Sequence, residues 1–139
     1  MIIEFIKDKE PKISKVYKKA VTGDHDAIRF MCDYYDKKDM SEKALSWYLF
    51  GAHFGYKDFM KDVCIHIIVI QYEYPEDKRM DLLLNGLYWA YKLKENMKGP
   101  EDLEIAKRIT GALQGLIAKN IYNSFKTPEK FREIQIPKI

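Results

Sequence analysis

Apolar residues recur every three or four positions along most of this 139-residue chain, a spacing typical of helices that bury one face. Proline and glycine interrupt the pattern at intervals that suit helix beginnings and ends. Residues 1–10 alternate only loosely and fit either an extended arm or a first helical turn. The pattern predicts an all-α protein of six or seven helices. We place them near residues 11–22, 24–35, 41–54, 57–71, 75–95 and 100–123, with a short last helix beginning at Thr127.

Four of the predicted helices carry apolar stripes from which core faces can be read. Small residues on the sixth helix are expected to let another helix approach closely. The predicted core faces are Ile13, Val16, Tyr17, Ala20 and Val21 on the first helix, Ala27, Phe30, Met31, Tyr34 and Tyr35 on the second, Met80, Leu83, Leu84, Leu87, Tyr88 and Tyr91 on the fifth, and Ala106, Ile109, Leu113, Leu116, Ile117 and Ile121 on the sixth, whose small residues are Gly111, Ala112, Gly115 and Ala118.

The ends of the helices have recognisable signals. Asp24 can accept hydrogen bonds from the unpaired amides of a first turn, so it is expected to cap the second helix. Asp39 or Ser41 is expected to cap the third helix in the same way. Gly23 and Gly55 fit the left-handed conformation that ends a helix.

The fourth predicted helix is ambiguous, because residues 65–70 are β-branched enough to form a buried strand. Helix is favoured, since Phe59, Met60, Val63, Cys64 and Ile67 keep helical spacing and a single strand would have no pairing partner. A helix that is apolar around most of its circumference is expected to be central and flanked on both sides.

A short pattern occurs twice in the first half of the chain. The segment 23–32 returns thirty-two positions later as 55–64, with Gly, Asp and Cys repeated in register. A period in the low thirties that holds two helices is typical of a helical solenoid, in which each helix pair buries its apolar face only by stacking on the next. Cys32 and Cys64 occupy equivalent positions and are expected to be small core residues of a protein from a reducing compartment.

Composition excludes several classes of function. Apolar residues make up 47% and charged residues 32%, as in ordinary globular proteins, and 24 basic residues against 21 acidic ones argue against a nucleic-acid-binding protein. A lysine-rich stripe over residues 7–19 is more simply explained as a solvated face. No segment is long and apolar enough for a membrane span and no secretory signal is evident, so a cytoplasmic location is expected.

Residues Ala44, Trp47, Tyr48, Gly51 and Gly55, spaced as in A-x-x-W-Y-x-x-G-A-x-x-G, resemble the Sel1-like repeats, relatives of the tetratricopeptide repeats. The likeness is good over residues 23–67. It implies a short right-handed α-α superhelix in one domain, 1–139, with a repeat-like core at 23–67, a degenerate repeat and cap at 75–125, and a loose tail at 134–139.

The same resemblance implies a non-enzymatic scaffold that binds another protein in a groove lined by the first helix of each pair. Among small bacterial proteins similar to this family, an immunity protein that inhibits a cognate secreted toxin is our preferred role, and an adaptor or assembly factor is the alternative. A homodimer through an end helix also fits. The groove is predicted from the repeat register, which aligns Arg29 with Lys61, Asp33 with Ile65, and Asp36 with Ile68.

Catalytic and metal-binding arrangements are weak in this sequence. His25, His53 and His66 are far apart and none has zinc-ligand spacing, so no metal and no cofactor are expected. Cys64 and His66 could suggest a nucleophile and a base, but two residues apart on a helix they point in different directions. A small enzyme with a pocket between helices is therefore the second hypothesis, behind the scaffold.

Overall fold

The computed structural model describes residues 11–125, and within that range the chain is all-α, as predicted. Over residues 11–125, six helices follow one another without a strand among them. Residues 1–10, the predicted last helix at Thr127 and the tail at 134–139 lie outside the described residues. The helices are α1 (Pro11–Ala20), α2 (His25–Lys37), α3 (Ser41–His53), α4 (Lys57–Ile70), α5 (Glu76–Asn96) and α6 (Pro100–Phe125), with one 3-10 turn at Gln71–Glu73 between α4 and α5.

The predicted glycine stops and the first cap are confirmed. Gly23 and Gly55 have φ angles of +98° and +91°, which only glycine adopts readily. Asp24 accepts a hydrogen bond at 2.9 Å from the amide of Ala27 and so caps α2. The cap predicted for α3 is wrong, because Met40 occupies that position without a side-chain bond while Asp39 takes a left-handed turn at φ +60°.

Each helix packs on the next one in sequence, and α4 packs on α3, α5 and α6. The ambiguous segment 65–70 is helical, and the predicted central place of α4 is confirmed. Phe59, Val63, Cys64 and Ile67 are fully buried in its inward face. Neighbouring helices thus cover many of the apolar side chains of α4, but Ile65 and Val69 are exposed.

Both cysteines behave as the repeat pattern predicted. Cys32 and Cys64 are fully buried and free. The two copies also contact each other at their starts, where the Tyr56 hydroxyl donates to the Gly23 carbonyl at 2.7 Å.

The predicted core faces of the first, second, fifth and sixth helices are wrong in part. The members that are exposed are Val21 just after α1, Phe30 on α2, Leu84, Tyr88 and Tyr91 on α5, and Ile121 on α6. The buried face of α5 is instead built from Leu83, Gly86, Trp89, Ala90 and Leu93. It lies there because α4 and α6 both pack on α5, and a Cβ on Gly86 would lie 3.0 Å from Leu113 of α6 and 3.2 Å from Ile67 of α4.

Close approach of helices occurs on α3 and not at the small residues of α6. A Cβ on Gly51 would lie 2.5 Å from the ring of Phe59, so this glycine makes room for the ring. Gly111 and Gly115 are exposed, and a Cβ on either would meet nothing within 4 Å. The small stripe on α6 therefore faces away from its neighbours.

Alanine substitutions at two helical glycines are expected to have opposite effects. Gly51→Ala should lower the free energy of unfolding by about 1–3 kcal/mol, because the added methyl group overlaps a fully buried ring. Gly115→Ala should raise it by about 0.5–1 kcal/mol, because the site is open and alanine restricts the unfolded chain. Urea denaturation of both variants measures the difference, and equal effects would contradict the close packing of Phe59 on α3.

Candidate functional site

Helices α2 and α4 are joined by ion pairs along one side of the protein. The guanidinium group of Arg29 on α2 contacts Asp58 at 2.8 Å and Asp62 at 2.6 Å, both on α4. The two carboxylates are four residues apart, so they lie on one face of the helix and hold the same cation. Burial opposes the charge of Arg29, but the hydrogen bonds to both carboxylates outweigh it and raise the pKa of the guanidinium group.

His25 adds a second link between the same helices. Its Nε2 atom lies 2.7 Å from Asp58, and its Nδ1 atom lies 3.2 Å from Asp26. Partial burial lowers the pKa of His25, but the hydrogen bonds to the two carboxylates raise it more, so the net shift is upward. The pKa of Asp58 is lowered, since burial, which raises it, is outweighed by bonds to Arg29 and His25. We call His25, Arg29, Asp58 and Asp62 the α2–α4 clamp.

Two clamp residues pack on the aromatic ring of Phe59. The Arg29 guanidinium carbon is 4.3 Å from the ring centroid of Phe59, and the ring of His25 is 4.9 Å from the same ring. A cation over an aromatic face is attracted by the electrons of the ring. The clamp residues are thus supported by buried packing and are not freely rotating surface side chains.

A second polar group, at Asp36, extends the contacts between α2 and its neighbours toward the C-terminal end of α2. The Tyr48 hydroxyl of α3 donates to the carboxylate of Asp36, and His66 of α4 lies 3.9 Å from the same carboxylate. The Nε2 atom of His66 lies 3.1 Å from the carbonyl oxygen of Ser41. Burial of Tyr48, together with its bond to Asp36, raises the pKa of the phenol.

Three exposed apolar residues lie on α4 and the 3-10 turn that follows it. Ile65, Val69 and Tyr72 are 41%, 62% and 74% exposed, and they follow one another at helical spacing along the outward side of α4 and the 3-10 turn. We call these three residues the α4 row. An exposed apolar row on a central, well-packed helix is typical of a surface that contacts another molecule.

The structure places the six predicted groove residues on α2 and α4. Arg29 is bound to Asp58 and Asp62, and Asp36 accepts from Tyr48 and lies near His66. Within the set, Asp33 and Ile65 are exposed, and Lys61 and Ile68 are half-buried. The set stays a predicted partner surface.

Sequence reasoning missed His25, Asp58 and Asp62. The available signal was their spacing, because Asp58 and Asp62 stand one helical turn apart on the copy of the segment that carries Arg29. The repeat register compares equivalent positions of α2 and α4, such as Arg29 and Lys61. The ion pairs join Arg29 to residues at other positions of the repeat.

Neither buried cysteine is suited to act as a nucleophile. Burial raises the pKa of Cys64 to about 12, and its sulfur donates to the Gly86 carbonyl at 3.4 Å. Burial also raises the pKa of Cys32. Both thiols are therefore un-ionised at neutral pH, where a nucleophile needs a thiolate.

Two further searches concern residues 11–125 only. In that part of the chain, no three or more His, Cys, Asp and Glu side chains are grouped closely enough to hold a metal ion. No helix there combines the length and the hydrophobicity that a bilayer crossing requires.

Comparisons with protein families, with curated proteins and with solved structures found no match to this chain. The likeness to Sel1-like repeats therefore stays a prediction that depends on the residues quoted above.

The clamp predicts a pH-dependent contribution to stability. Because the pKa of His25 is raised by folding, its contribution is fully present below the ordinary value of 6.5 and is lost as pH rises through the folded value. His25→Gln should therefore lower the melting temperature more below pH 6.5 than above pH 8. The contribution of Asp58 has the opposite pH dependence. Because folding lowers its pKa, stability falls as pH drops below the ordinary value of 3.8.

The control is His53→Gln on α3, whose imidazole has no carboxylate partner among the described residues and packs on Trp89. Thermal unfolding at several pH values compares the two variants. A pH-independent effect of His25→Gln, or equal curves for both variants, would mean that the ion pairs of His25 contribute nothing measurable.

Proposed function

We propose that this chain is a non-enzymatic protein-binding scaffold, folded as a short right-handed α-α superhelix, that inhibits a cognate secreted toxin in the bacterial cytoplasm. The single observation that supports it best is the α4 row, in which two apolar side chains of α4 and one of the following 3-10 turn are exposed while the opposite side of α4 is buried. A rigid apolar surface with charged groups at its edge has the composition of a protein interface.

Contacts between helices that are two apart in sequence support the superhelical arrangement. Tyr17 of α1 meets Trp47 of α3 edge-on at 5.9 Å, and His53 of α3 meets Trp89 of α5 at 4.9 Å. On the other side, the clamp joins α2 to α4, and α4 packs on α6. Alternate helices thus form two rows, which is how stacked helix pairs are organised.

The clamp would keep the binding surface in one shape before a partner arrives. Arg29 and His25 tie α2 to α4 through Asp58, so the surface that carries the α4 row does not have to be ordered on binding. Ordering costs are a large part of what weakens protein association, and a preformed surface avoids them. A tight inhibitor of a toxin benefits from a surface that is already ordered before binding.

The toxin as partner comes from the resemblance, and the row defines where it would bind. An inhibitor needs an apolar centre from which water is excluded, with a polar rim. Val69 is the middle member of the row, and the charged residue Lys61 stands one helical turn before Ile65 on the same helix. An adaptor would use the same surface for a non-toxic partner, so the two roles are separated by experiment.

Substitution in the row should weaken partner binding without unfolding the chain. Val69→Glu is expected to weaken binding by about a hundredfold, because a desolvated apolar contact is replaced by a charge, and to leave stability within about 0.5 kcal/mol because the residue is exposed. The matched control is Val21→Glu, the same substitution at a 44% exposed valine in the turn after α1. Affinity capture from native lysate, followed by calorimetry with the captured protein, measures the effect.

Co-expression with a neighbouring toxin gene tests the toxin itself. The wild-type chain and Val21→Glu should restore growth, and Val69→Glu should not. Capture of a non-toxic protein that depends on Val69 would replace the inhibitor by an adaptor. No partner in either assay, or equal behaviour of both variants, would contradict the proposed scaffold.

A further inference from the structure

Aromatic rings line the surface between α1 and α3, two helices that do not carry the α4 row. Tyr17 of α1 meets Trp47 of α3 edge-on at 5.9 Å between ring centroids. Trp47 in turn meets Phe50 at 5.5 Å, and Phe50 meets Phe54 at 5.1 Å. The last three residues are spaced by three and four positions, so they share one side of α3. We call these four residues the aromatic strip.

The rest of the protein covers the aromatic strip only in part. Phe54 is 49% exposed, and Tyr17, Trp47 and Phe50 are half-buried. The backbones of α1 and α3 do not touch, so the rings of Tyr17 and Trp47 bridge the gap between the two helices. Aromatic side chains that are held in place by their neighbours and stay accessible are typical of protein interfaces.

The α1 side of the strip is strongly basic. Lys12, Lys15, Lys18 and Lys19 are all exposed, and spacings of three or four residues place them on one side of α1. Helix α1 contains no acidic residue. Within residues 11–125, none of these four lysines forms an ion pair.

Acidic residues of the same two helices do not balance these lysines. Glu42 is the one acid of α3, and its carboxylate already accepts from the Tyr74 hydroxyl at 3.3 Å. Lys43 on α3 adds a fifth lysine, so α1 and α3 together carry five lysines and one acid. The whole chain has 24 basic and 21 acidic residues. Positive charge is therefore concentrated around the strip, where it attracts an anionic partner.

A partner for this surface needs apolar groups for the rings and negative charge for the lysines. From this complementarity we propose that the aromatic strip and the lysine side of α1 form a second docking surface, for an acidic peptide segment that also carries apolar side chains. The apolar side chains pack on the accessible parts of the rings, and the carboxylates pair with Lys15 and Lys18. Exposed ion pairs contribute little energy, so the rings hold the peptide and the lysines select acidic sequences.

A single-stranded nucleic acid fits the strip less well than a peptide does. Bases stack on the open faces of aromatic rings. In the strip, however, neighbouring rings meet edge to face at interplanar angles between 73° and 85°, and Phe54 stacks on Tyr56 at 23°. Several ring faces are therefore already in contact with other rings of the protein, which favours a peptide as the occupant.

Selection from a random peptide library tests the surface without assuming a sequence. Short peptides displayed on phage are enriched on the immobilised full chain at physiological salt. Enriched sequences are expected to combine Asp or Glu with aromatic or aliphatic residues. Val69→Glu separates the two proposals, because peptides that this variant no longer binds belong to the α4 row, whereas peptides of the strip are unaffected.

Charge reversal tests the lysines. Lys15→Glu combined with Lys18→Glu should weaken an enriched peptide by about tenfold, because two exposed ion pairs are replaced by repulsion. Lys107→Glu combined with Lys119→Glu changes two exposed lysines of α6 and is the charge-matched control. Fluorescence anisotropy of the labelled peptide measures the affinities, and equal affinities of the two double variants would overturn the role of the lysines.

The strip is tested by substitution and by NMR. Phe54→Ala should weaken the same peptide by about tenfold, whereas Phe30→Ala, at a 42% exposed phenylalanine of α2, should not. The chain has two tryptophans, and the indole N–H signal of Trp47 should shift saturably with peptide. Trp89 is 5% exposed between α3 and α5, and its signal should stay in place.

Three results would overturn the proposal. The first is that no peptide is enriched apart from those of the α4 row, and the second is that enriched peptides lack acidic residues. The third is a shift of the Trp47 signal at lower concentrations of a single-stranded oligonucleotide, or of vesicles of phosphatidylcholine and phosphatidylserine, than of the peptide. If Phe54→Ala does not fold, the two lysine double variants still decide, because they change exposed residues alone.

Discussion

The ring of Phe59 is the point at which α2, α3 and α4 meet. It is fully buried at the start of α4, it occupies the space left by Gly51 of α3, and its other face is covered by the guanidinium group of Arg29 from α2. Because a protein interior is close-packed, a ring in this position determines how near the three helices can come. The spacing of the first half of the protein follows from this contact.

The clamp extends that contact to the surface. The backbones of α2 and α4 do not touch, and the gap between them is spanned by Arg29 and His25 reaching Asp58 and Asp62. Half-buried ion pairs of this kind are weak sources of stability, but they orient the helices that carry them. The exposed side of α4 is therefore presented in a defined direction, which suits a binding surface.

Tyr72 joins two different surfaces of the protein. It is the last member of the α4 row and also lines a cavity together with Arg79 and Asn120. The row is apolar and open, whereas the lining of the cavity is mostly polar.

The sequence by itself determined the all-α class, most of the helix ends, the glycine turns at Gly23 and Gly55, and the buried equivalence of Cys32 and Cys64. These features follow from local periodicity and backbone preferences, which are written in neighbouring residues. Tertiary structure alone decided that Trp89 is buried while Tyr88 and Tyr91 on the same helix are exposed, which ion pairs join α2 to α4, and that the buried Oδ1 atom of Asn120 has no hydrogen-bond partner among residues 11–125. Periodicity shows which residues share a face, but the neighbouring helices determine which face is covered and which charges come within reach.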